Sequence, residues 1–299
     1  MNSYFMRTIV ALLTFLFFCT SYAQTKTTYT YAIKGTDTLM LDVYLPKKSK
    51  TTDAFPVLLW MHGGGFGGGT RDNPSEQKLA EYVTKHKVVG VSISYRLTRK
   101  GTLTGFGCDC PKEEKNNTFK AAVEDYMDAA LFLVKNKEKF KIDSSKIIAG
   151  GSSAGAEAIL NAVFMREHFI QDLEKYKTVQ FAGVFSLAGA VVNANYITKD
   201  NSIPTVLFHG TDDNLVPFGT APHHYCDTNK PGYFMLDGSN TIIRKLNELE
   251  TSYYFYVVKG GMHEMAGIPF YDLDNVLNFF KKTILDGETI QIKKIKSKI

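Results

Sequence analysis

Short apolar runs alternate along this chain with longer segments in which apolar residues recur at helical spacing. The apolar runs mostly lack the strict alternation of half-buried strands, as is typical of strands covered on both faces. The sequence therefore predicts an α/β fold with a mostly parallel central sheet and helices on both faces. The predicted strands are 56–61, 88–95, 146–149, 182–187, 205–209 and 253–258. The predicted helices are 76–87, 119–137, 154–168, 241–249 and 271–284, and residues 29–45 predict an antiparallel edge hairpin.

The N-terminus has the composition of an export signal. A short start with the single charge of Arg7 precedes the apolar run 9–18, which is shorter than the roughly 20 residues of a membrane-spanning helix. Small residues follow, and we expect cleavage after Ala23 and a secreted or periplasmic location, without stable membrane insertion once the signal is removed. No Pro-, Ser- or Gly-rich linker interrupts the rest, so the sequence predicts 1–23 as a signal peptide and 24–299 as a single domain.

Charge and metal-ligand spacing argue against two classes of function. The formal net charge is +5, and no basic stripe is interleaved with aromatic residues, so we expect no nucleic-acid partner. No His/Cys spacing of the kind used by zinc sites occurs, so we expect no metal. Part of the positive charge lies in a C-terminal end that we expect to be solvated, at Lys293, Lys294, Lys296 and Lys298.

A Gly-x-Ser-x-Gly motif stands where a predicted strand meets a predicted helix. Gly151–Gly155 follows the strand 146–149 and opens the helix from Ala154. A serine on such a tight turn needs small neighbours, and its hydroxyl projects from the carboxyl edge of the sheet. The glycines flank Ser153 symmetrically, which makes Ser153, rather than Ser152, the candidate nucleophile. Five residues with three fixed positions also arise by chance, so the motif is weak when it stands alone.

A glycine run after the strand 56–61 is a much stronger signal. In His62–Phe66 the absence of Cβ atoms lets backbone N–H groups turn toward a developing oxyanion. We expect Gly64 and Gly65, together with Ala154, to form an oxyanion hole, and His62 to hold the loop as a structural residue. A phosphate-binding loop is disfavoured because the Lys-Ser/Thr ending of such loops is absent.

Together with Ser94–Leu97, these two motifs resemble the esterase/lipase branch of the α/β-hydrolases that includes hormone-sensitive-lipase-like and bacterial feruloyl-esterase-like enzymes. The resemblance covers most of the chain after residue 23 and implies the α/β-hydrolase fold, ester hydrolysis without a cofactor, and the chain order serine, acid, histidine. The sequence departs from the hormone-sensitive-lipase branch in two ways. Ser152 stands where that branch has Asp, and no long segment that could form a large N-terminal cap precedes the first core strand.

The implied chain order narrows the search for the acid and the base. The strand 205–209 is followed by a loop similar to the family's acid loop, whose aspartate falls at Asp213, with Asp212 as the alternative. The base must follow the last predicted strand, where His263 stands. We therefore predict Ser153, Asp213 and His263 as a catalytic triad that acts through an acyl-enzyme.

The predicted activity is that of a carboxylesterase acting on short-chain acyl or carbohydrate-linked esters, with a small-molecule or carbohydrate ester as the expected partner. The nearest alternative is a serine peptidase or another serine hydrolase of this fold. Such peptidases usually carry a large propeller domain, for which residues 24–55 are far too short. The other alternative is a non-catalytic recognition protein on a hydrolase scaffold, although such proteins typically lack a triad residue.

Two insertions, 97–118 and 218–240, follow predicted strand ends and should meet over the Ser153 pocket as a partial lid. Their cysteines suit a disulfide in an exported protein, and we expect Cys226 to pair with Cys108 or Cys110, with Cys110 slightly favoured because it is nearer the return to the helix. The residues expected to line the substrate entrance are Phe106, His223, His224, Tyr225, Tyr233 and Phe234.

Overall fold

The computed structural model describes residues 26–47 and 54–298, so the expected signal peptide and its cleavage after Ala23 lie outside the described residues. Twelve strands occur in this part of the chain. They are β1 (Lys26–Lys34), β2 (Asp37–Tyr44), β3 (Phe55–Met61), β4 (Val89–Ile93), β5 (Ile142–Ser152), β6 (Gly183–Leu187), β7 (Ala190–Val191), β8 (Thr205–Gly210), β9 (Thr220–Pro222), β10 (Met235–Gly238), β11 (Tyr253–Lys259) and β12 (Gln291–Ser297).

Nine of these strands form one sheet with the order β1-β2-β4-β3-β5-β6-β8-β11-β12. The hairpin β1–β2 and the pair β2–β4 are antiparallel, and every other pair in this sheet is parallel. The mostly parallel sheet and the antiparallel edge hairpin predicted from the sequence are thus confirmed. Because parallel strands point the same way, the ends of β3, β5, β8 and β11 lie along one edge of the sheet.

Seven α-helices surround the sheet in the described part of the chain. They are α1 (Pro74–Lys85), α2 (Lys112–Lys135), α3 (Lys137–Phe140), α4 (Ala154–Phe164), α5 (Arg166–Phe169), α6 (Ser239–Glu248) and α7 (Leu273–Phe280). Apolar side chains of α2, α4 and α6 belong to one buried cluster, and those of α1 and α7 belong to a second cluster. The helices therefore cover both faces of the sheet, as predicted. No helix within 26–47 and 54–298 is long and apolar enough to cross a membrane.

Element boundaries differ from the sequence predictions, and three helices show the differences that bear on the fold. The predicted helix 154–168 is two helices, because the backbone leaves helical geometry at Met165. Helix α7 ends at Phe280 and continues as a π-helical turn, Lys281–Leu285. Helix α2 starts at Lys112 rather than Phe119, so the first insertion is shorter than expected.

The C-terminal end is also more ordered than the sequence indicated. Strand β12 pairs in parallel with β11 at the edge of the sheet, although most of its side chains are exposed. Lys293 and Lys294 lie over the rings of Phe255 and Tyr256 on β11. Pairing with β11 orders this basic segment as a strand although its sequence has no apolar pattern. Its lysines hinder pairing of the exposed edge with other chains. The expected exposure of the lysines is therefore confirmed for Lys293, Lys296 and Lys298, whereas the strand that carries them was not predicted.

Candidate active site

Ser153 lies on the turn between β5 and α4 and has the strained backbone angles φ 51° and ψ −123°. A non-glycine residue at positive φ costs energy and persists where the surroundings enforce it. The enforcement comes from close packing, since a Cβ atom at Gly155 would lie 2.1 Å from the Met61 carbonyl oxygen at the end of β3. Helix α4 can therefore approach β3 only with glycine at this position. The turn directs the Ser153 hydroxyl away from the sheet edge, as the motif predicted.

The structure brings Ser153, His263 and Asp213 into one chain of hydrogen bonds. The Ser153 Oγ atom lies 2.8 Å from His263 Nε2, and His263 Nδ1 lies 2.8 Å from Asp213 Oδ2. The Asp213 carboxylate requires a proton on Nδ1, which leaves Nε2 to accept the hydrogen bond of the Ser153 hydroxyl. Asp213 follows strand β8 in the chain, and His263 is the first residue of a 3₁₀ helix, His263–Ala266, that follows β11. The geometry thus has the form of a serine–histidine–aspartate triad.

Asp213 is buried and held in place by several donors. The backbone N–H groups of Leu215 and Val216 donate to its Oδ1 atom over 2.9 and 3.0 Å. His209 Nε2 lies 3.3 Å from Oδ2. Burial raises the pKa of Asp213, but the hydrogen bonds from His209 and His263 outweigh burial and hold the pKa well below its usual range. Asp213 therefore stays ionised and can orient the imidazole of His263.

The alternative acid, Asp212, points elsewhere. Its side chain is exposed and accepts a hydrogen bond from Thr211 Oγ1 at 2.7 Å. The turn at 211–212 leaves Asp212 exposed, whereas Asp213 Oδ2 lies 2.8 Å from His263 Nδ1. The structure thus places Asp213, rather than Asp212, next to His263.

The glycine loop lies beside the nucleophile. Gly64 and Gly65 line the same cavity as Ser153 and Ala154. Gly64 has φ +119°, and a Cβ atom there would lie 2.3 Å from the Gly68 carbonyl oxygen. Ala154 is the first residue of α4, where backbone N–H groups have no partner within the helix. These three positions can therefore present N–H groups to an oxygen atom of a bound substrate.

His62 has the structural environment expected for it. Its ring is buried, and Nδ1 lies 2.7 Å from the Gly63 carbonyl oxygen. The Tyr95 hydroxyl donates to the His62 carbonyl over 3.0 Å. Burial lowers the pKa of His62, and the hydrogen bond to Gly63 offsets part of that effect. A neutral ring therefore fixes the start of the glycine loop.

Changing Gly64 to alanine should disrupt this loop. The added Cβ would collide with Gly68, and the loop must shift, so we expect Gly64→Ala to lower kcat by on the order of 10² or more. Gly65→Ala is the matched comparison, since Gly65 also has a positive φ of +59° but a Cβ there meets no atom within 4 Å, and we expect a smaller loss. Steady-state rates on a soluble ester, with circular dichroism to verify folding, compare the two. Equal, near-normal rates in both folded variants would remove this loop from the mechanism.

Ser152 has a role that the sequence did not reveal. Its Oγ atom donates to the Ala266 carbonyl over 2.7 Å. The hydrogen bond joins the nucleophile turn to the 3₁₀ helix that carries His263. A hydroxyl at the position where the hormone-sensitive-lipase branch has Asp thus helps to fix the distance between nucleophile and base.

A cavity of about 470 Å³ opens above Ser153. Of the six residues expected at the substrate entrance, Phe106, His223 and His224 line it. The sequence missed several other lining residues: Glu157, Leu215, Val216, Ala266 and Gly267. A larger cleft of about 840 Å³ next to Phe164 and Tyr196 contains none of the triad residues.

The other three entrance residues lie elsewhere. Phe234 is buried and packs its ring against Phe119, with 6.2 Å between the ring centroids. Tyr225 is exposed and faces a shallow surface beside Asp212. Tyr233 does not line the cavity. The prediction was wrong for Phe234, which is buried, whereas Tyr225 lies on an adjoining surface that shares His224 with the cavity. The segment between β9 and β10 divides its aromatic residues between core and surface.

The two insertions meet, as expected, but their disulfide differs from the favoured pairing. Cys226 is bonded to Cys108, with 5.3 Å between the Cα atoms. Backbone hydrogen bonds support the contact, since Gly232 N–H donates to the Cys108 carbonyl over 2.9 Å. Cys110 is a buried free thiol. The preference for Cys110 was wrong because this residue turns into the core just before α2 starts, and burial raises the pKa of its thiol.

Comparison with solved structures identifies the fold as that of the α/β-hydrolases. Esterase 2 of Thermogutta terrifontis, phosphorylated by paraoxon, matches with a TM-score of 0.64 at 15% identity, over 90% of this chain and 96% of that chain. The apo form of the same esterase matches with a TM-score of 0.62 at 15% identity, over 90% and 97% of the two chains. At this identity the likeness bears on the fold alone.

Sequence comparison defines the family. The BD-FAE family model matches residues 41–194, so the chain belongs to the BD-FAE family. Lipase 2 of Diutina rugosa is 33% identical over 122 residues, which are 40% of this chain and 21% of the lipase. Secreted lipase 5 of Gibberella zeae is 30% identical over 142 residues, which are 45% of this chain and 25% of that lipase. The chain thus spans only about a fifth to a quarter of the length of these curated relatives.

Proposed function

We propose that this protein is an exported serine hydrolase that cleaves carboxylic esters through an acyl-enzyme on Ser153. The observation that carries the proposal is the unbroken chain of hydrogen bonds from Ser153 through His263 to Asp213, beside the glycine loop. Relatives named lipases and carboxylesterases support the same reaction class. The disulfide between Cys108 and Cys226 supports export, since disulfides persist in oxidising compartments.

The reaction can be written with groups of this chain and water. His263 Nε2 accepts the Ser153 proton while Oγ attacks the ester carbonyl carbon. The N–H groups of Gly64, Gly65 and Ala154 stabilise the oxyanion of the tetrahedral intermediate. The intermediate collapses, the C–O bond to the alcohol breaks, and the alcohol departs with the proton from His263.

Deacylation repeats these steps with water. His263 takes a proton from the water molecule that attacks the acyl-enzyme carbonyl, and the second tetrahedral intermediate releases the carboxylic acid. The proton returns to Ser153 Oγ. Asp213 holds one tautomer of His263 and stabilises the imidazolium form in both halves of the reaction.

A panel of esters tests this function and the size of the acyl group. The cavity above Ser153 is open at its mouth, so the part of a long acyl chain that extends beyond the wall would stay in water. We expect 4-nitrophenyl acetate and butyrate to be hydrolysed at least ~10-fold faster than octadecanoyl esters, because the part of a long chain that stays in water adds no binding energy. Release of 4-nitrophenolate measures the rates. Similar rates for acetyl and octadecanoyl esters would contradict the expected preference.

The same panel should contain acetylated and feruloylated xylan fragments together with peptide anilides. Carbohydrate-linked esters are proposed as substrates beside simple ones, and their cleavage is followed by release of acetate or ferulate. Cleavage of the anilides without cleavage of any ester would favour a peptidase instead.

A further inference from the structure

One buried carboxyl group in the cavity above Ser153 takes no part in the proposed mechanism. Glu157 lies in the first turn of α4, four positions after the nucleophile, and its relative exposure is 1%. The residue lines the same cavity as Ser153 and His263. The Glu157 N–H group donates to the Ser153 carbonyl oxygen over 2.9 Å, so the two residues stand one helical turn apart at the start of α4. Glu157 therefore forms part of the wall close to the reacting atoms.

A buried histidine faces this carboxyl group. His223 Nε2 lies 3.3 Å from Glu157 Oε1, yet the two atoms are not aligned for a hydrogen bond. Among the described residues, neither Glu157 Oε1 nor His223 Nδ1 has a hydrogen-bond partner. Nearly all buried polar atoms in folded proteins are paired, so two unpaired atoms in one cavity wall require an explanation. Lys115 nearby is already paired, since its Nζ atom donates to the Gly232 carbonyl over 2.8 Å.

Burial disfavours the charged form of both groups. Burial raises the pKa of Glu157, Lys115 lowers it in part, and Asp213 raises it again. Burial lowers the pKa of His223, and the electrostatic effects of His224 and Lys115 lower it further. A neutral carboxyl group and a neutral imidazole each offer one donor and one acceptor. They match the hydrogen-bonding capacity of a hydroxyl group, which also donates and accepts.

We propose that Glu157 and His223 form a polar subsite that hydrogen-bonds a hydroxyl group of the substrate, about two to four bonds from the ester that Ser153 attacks. The inference rests on the proposed esterase function and names its substrate class. A cationic group fits the site poorly because Lys115 is close. An anionic group fits poorly because the negative charge of Asp213 also acts on this site.

Two substrate pairs test the subsite and distinguish the side of the ester that carries the hydroxyl. The acyl pair is 4-nitrophenyl 3-hydroxybutyrate against 4-nitrophenyl butyrate. The alcohol pair is the monoacetate of cis-1,2-cyclohexanediol against cyclohexyl acetate. The free hydroxyl of the monoacetate represents the hydroxyl group next to an esterified position of a sugar. We expect kcat/KM to favour the hydroxylated member of one pair by roughly 10-fold or more, because a site built around a hydroxyl discriminates against its absence. Equal kcat/KM values within both pairs would overturn the proposal.

Variants at Glu157 separate recognition from structure. Glu157→Met removes the polar atoms at similar volume and should bring the ratio of kcat/KM values within the favoured pair to below ~3. Glu157→Gln keeps a donor and an acceptor and should retain most of the preference. The matched control is Glu248→Met, on the exposed side of α6. A purely structural role would change both members of a pair equally and leave their ratio intact in Glu157→Met, which would contradict the subsite.

The unmodified protein supplies a readout if the variants fail to fold. If the subsite lies on the alcohol side, cis-1,2-cyclohexanediol should inhibit hydrolysis at least ~5-fold better than cyclohexanol. If the subsite lies on the acyl side, 3-hydroxybutyrate should inhibit hydrolysis better than butyrate by a similar factor. Hydrolysis of every ester without any preference, and without selective inhibition, would overturn the subsite alone. Absence of hydrolysis for all esters would overturn the esterase function and the subsite together.

Discussion

Replacing Ser153 with alanine should lower kcat/KM for 4-nitrophenyl acetate by on the order of 10⁴ or more. The variant lacks the nucleophile, and only the oxyanion donors and substrate binding remain. His263→Ala should cost about as much, because serine and base act as a unit and their losses do not add. Titrating each purified variant with a 4-nitrophenyl ester and measuring thermal unfolding beside the rates tests the assignment.

Ser152→Ala is the informative control for this experiment. It removes a hydroxyl next to Ser153 and breaks the hydrogen bond to Ala266, but it leaves the nucleophile in place. We expect a loss of no more than about 10- to 50-fold, since the histidine loop keeps its other contacts. Near-normal activity of Ser153→Ala together with an inactive Ser152→Ala would show that Ser152, not Ser153, is the nucleophile.

The second large effect is expected at Asp213. Asp213→Asn keeps the shape but presents an amide that cannot stabilise the imidazolium of His263, and kcat should fall by on the order of 10³ to 10⁴. His209 makes the site more sensitive, because its Nε2 atom loses the carboxylate at 3.3 Å as well. Asp212→Asn, at the exposed neighbour, should stay within about 2-fold of the unmodified enzyme. The reverse pattern would transfer the acid role to Asp212.

The three residues of the proposed triad could be located from sequence because they lie where parallel strands end. Ser153, Asp213 and His263 follow β5, β8 and β11, which neighbour one another in the sheet apart from β6. An apolar run locates a buried strand, and the residue after it must lie at the carboxyl edge. The fold and the edge of the sheet that carries the candidate site follow from those strand positions, whereas the choice of Asp213 and His263 also required the chain order that the family resemblance implies.

The cavity wall could not be predicted in the same way. Glu157 stands in a helix whose residues are all buried, and helical periodicity does not reveal which neighbour covers a polar side chain. The aromatic residues of the second insertion gave the opposite error, since residues that do not line the cavity were predicted to line its entrance. Phe234 and Tyr225 look alike in sequence, yet one packs in the core and the other is exposed, because the antiparallel turn between β9 and β10 decides their sides. Long-range packing of loops leaves little trace in local composition.

The disulfide between Cys108 and Cys226 bears on how the protein can be produced. It closes a loop with a sequence separation of 118, and a crosslink over such a length removes about 5 kcal/mol of chain entropy from the unfolded ensemble. Domains are stable by only roughly 5–15 kcal/mol, so this amount can be most of the margin. The loop encloses Ser153 and Asp213 and excludes His263. Synthesis in a reducing cytoplasm would therefore yield a chain with the same site but a much shorter lifetime at elevated temperature. Synthesis in an oxidising host would yield the chain with the bond between Cys108 and Cys226 already formed.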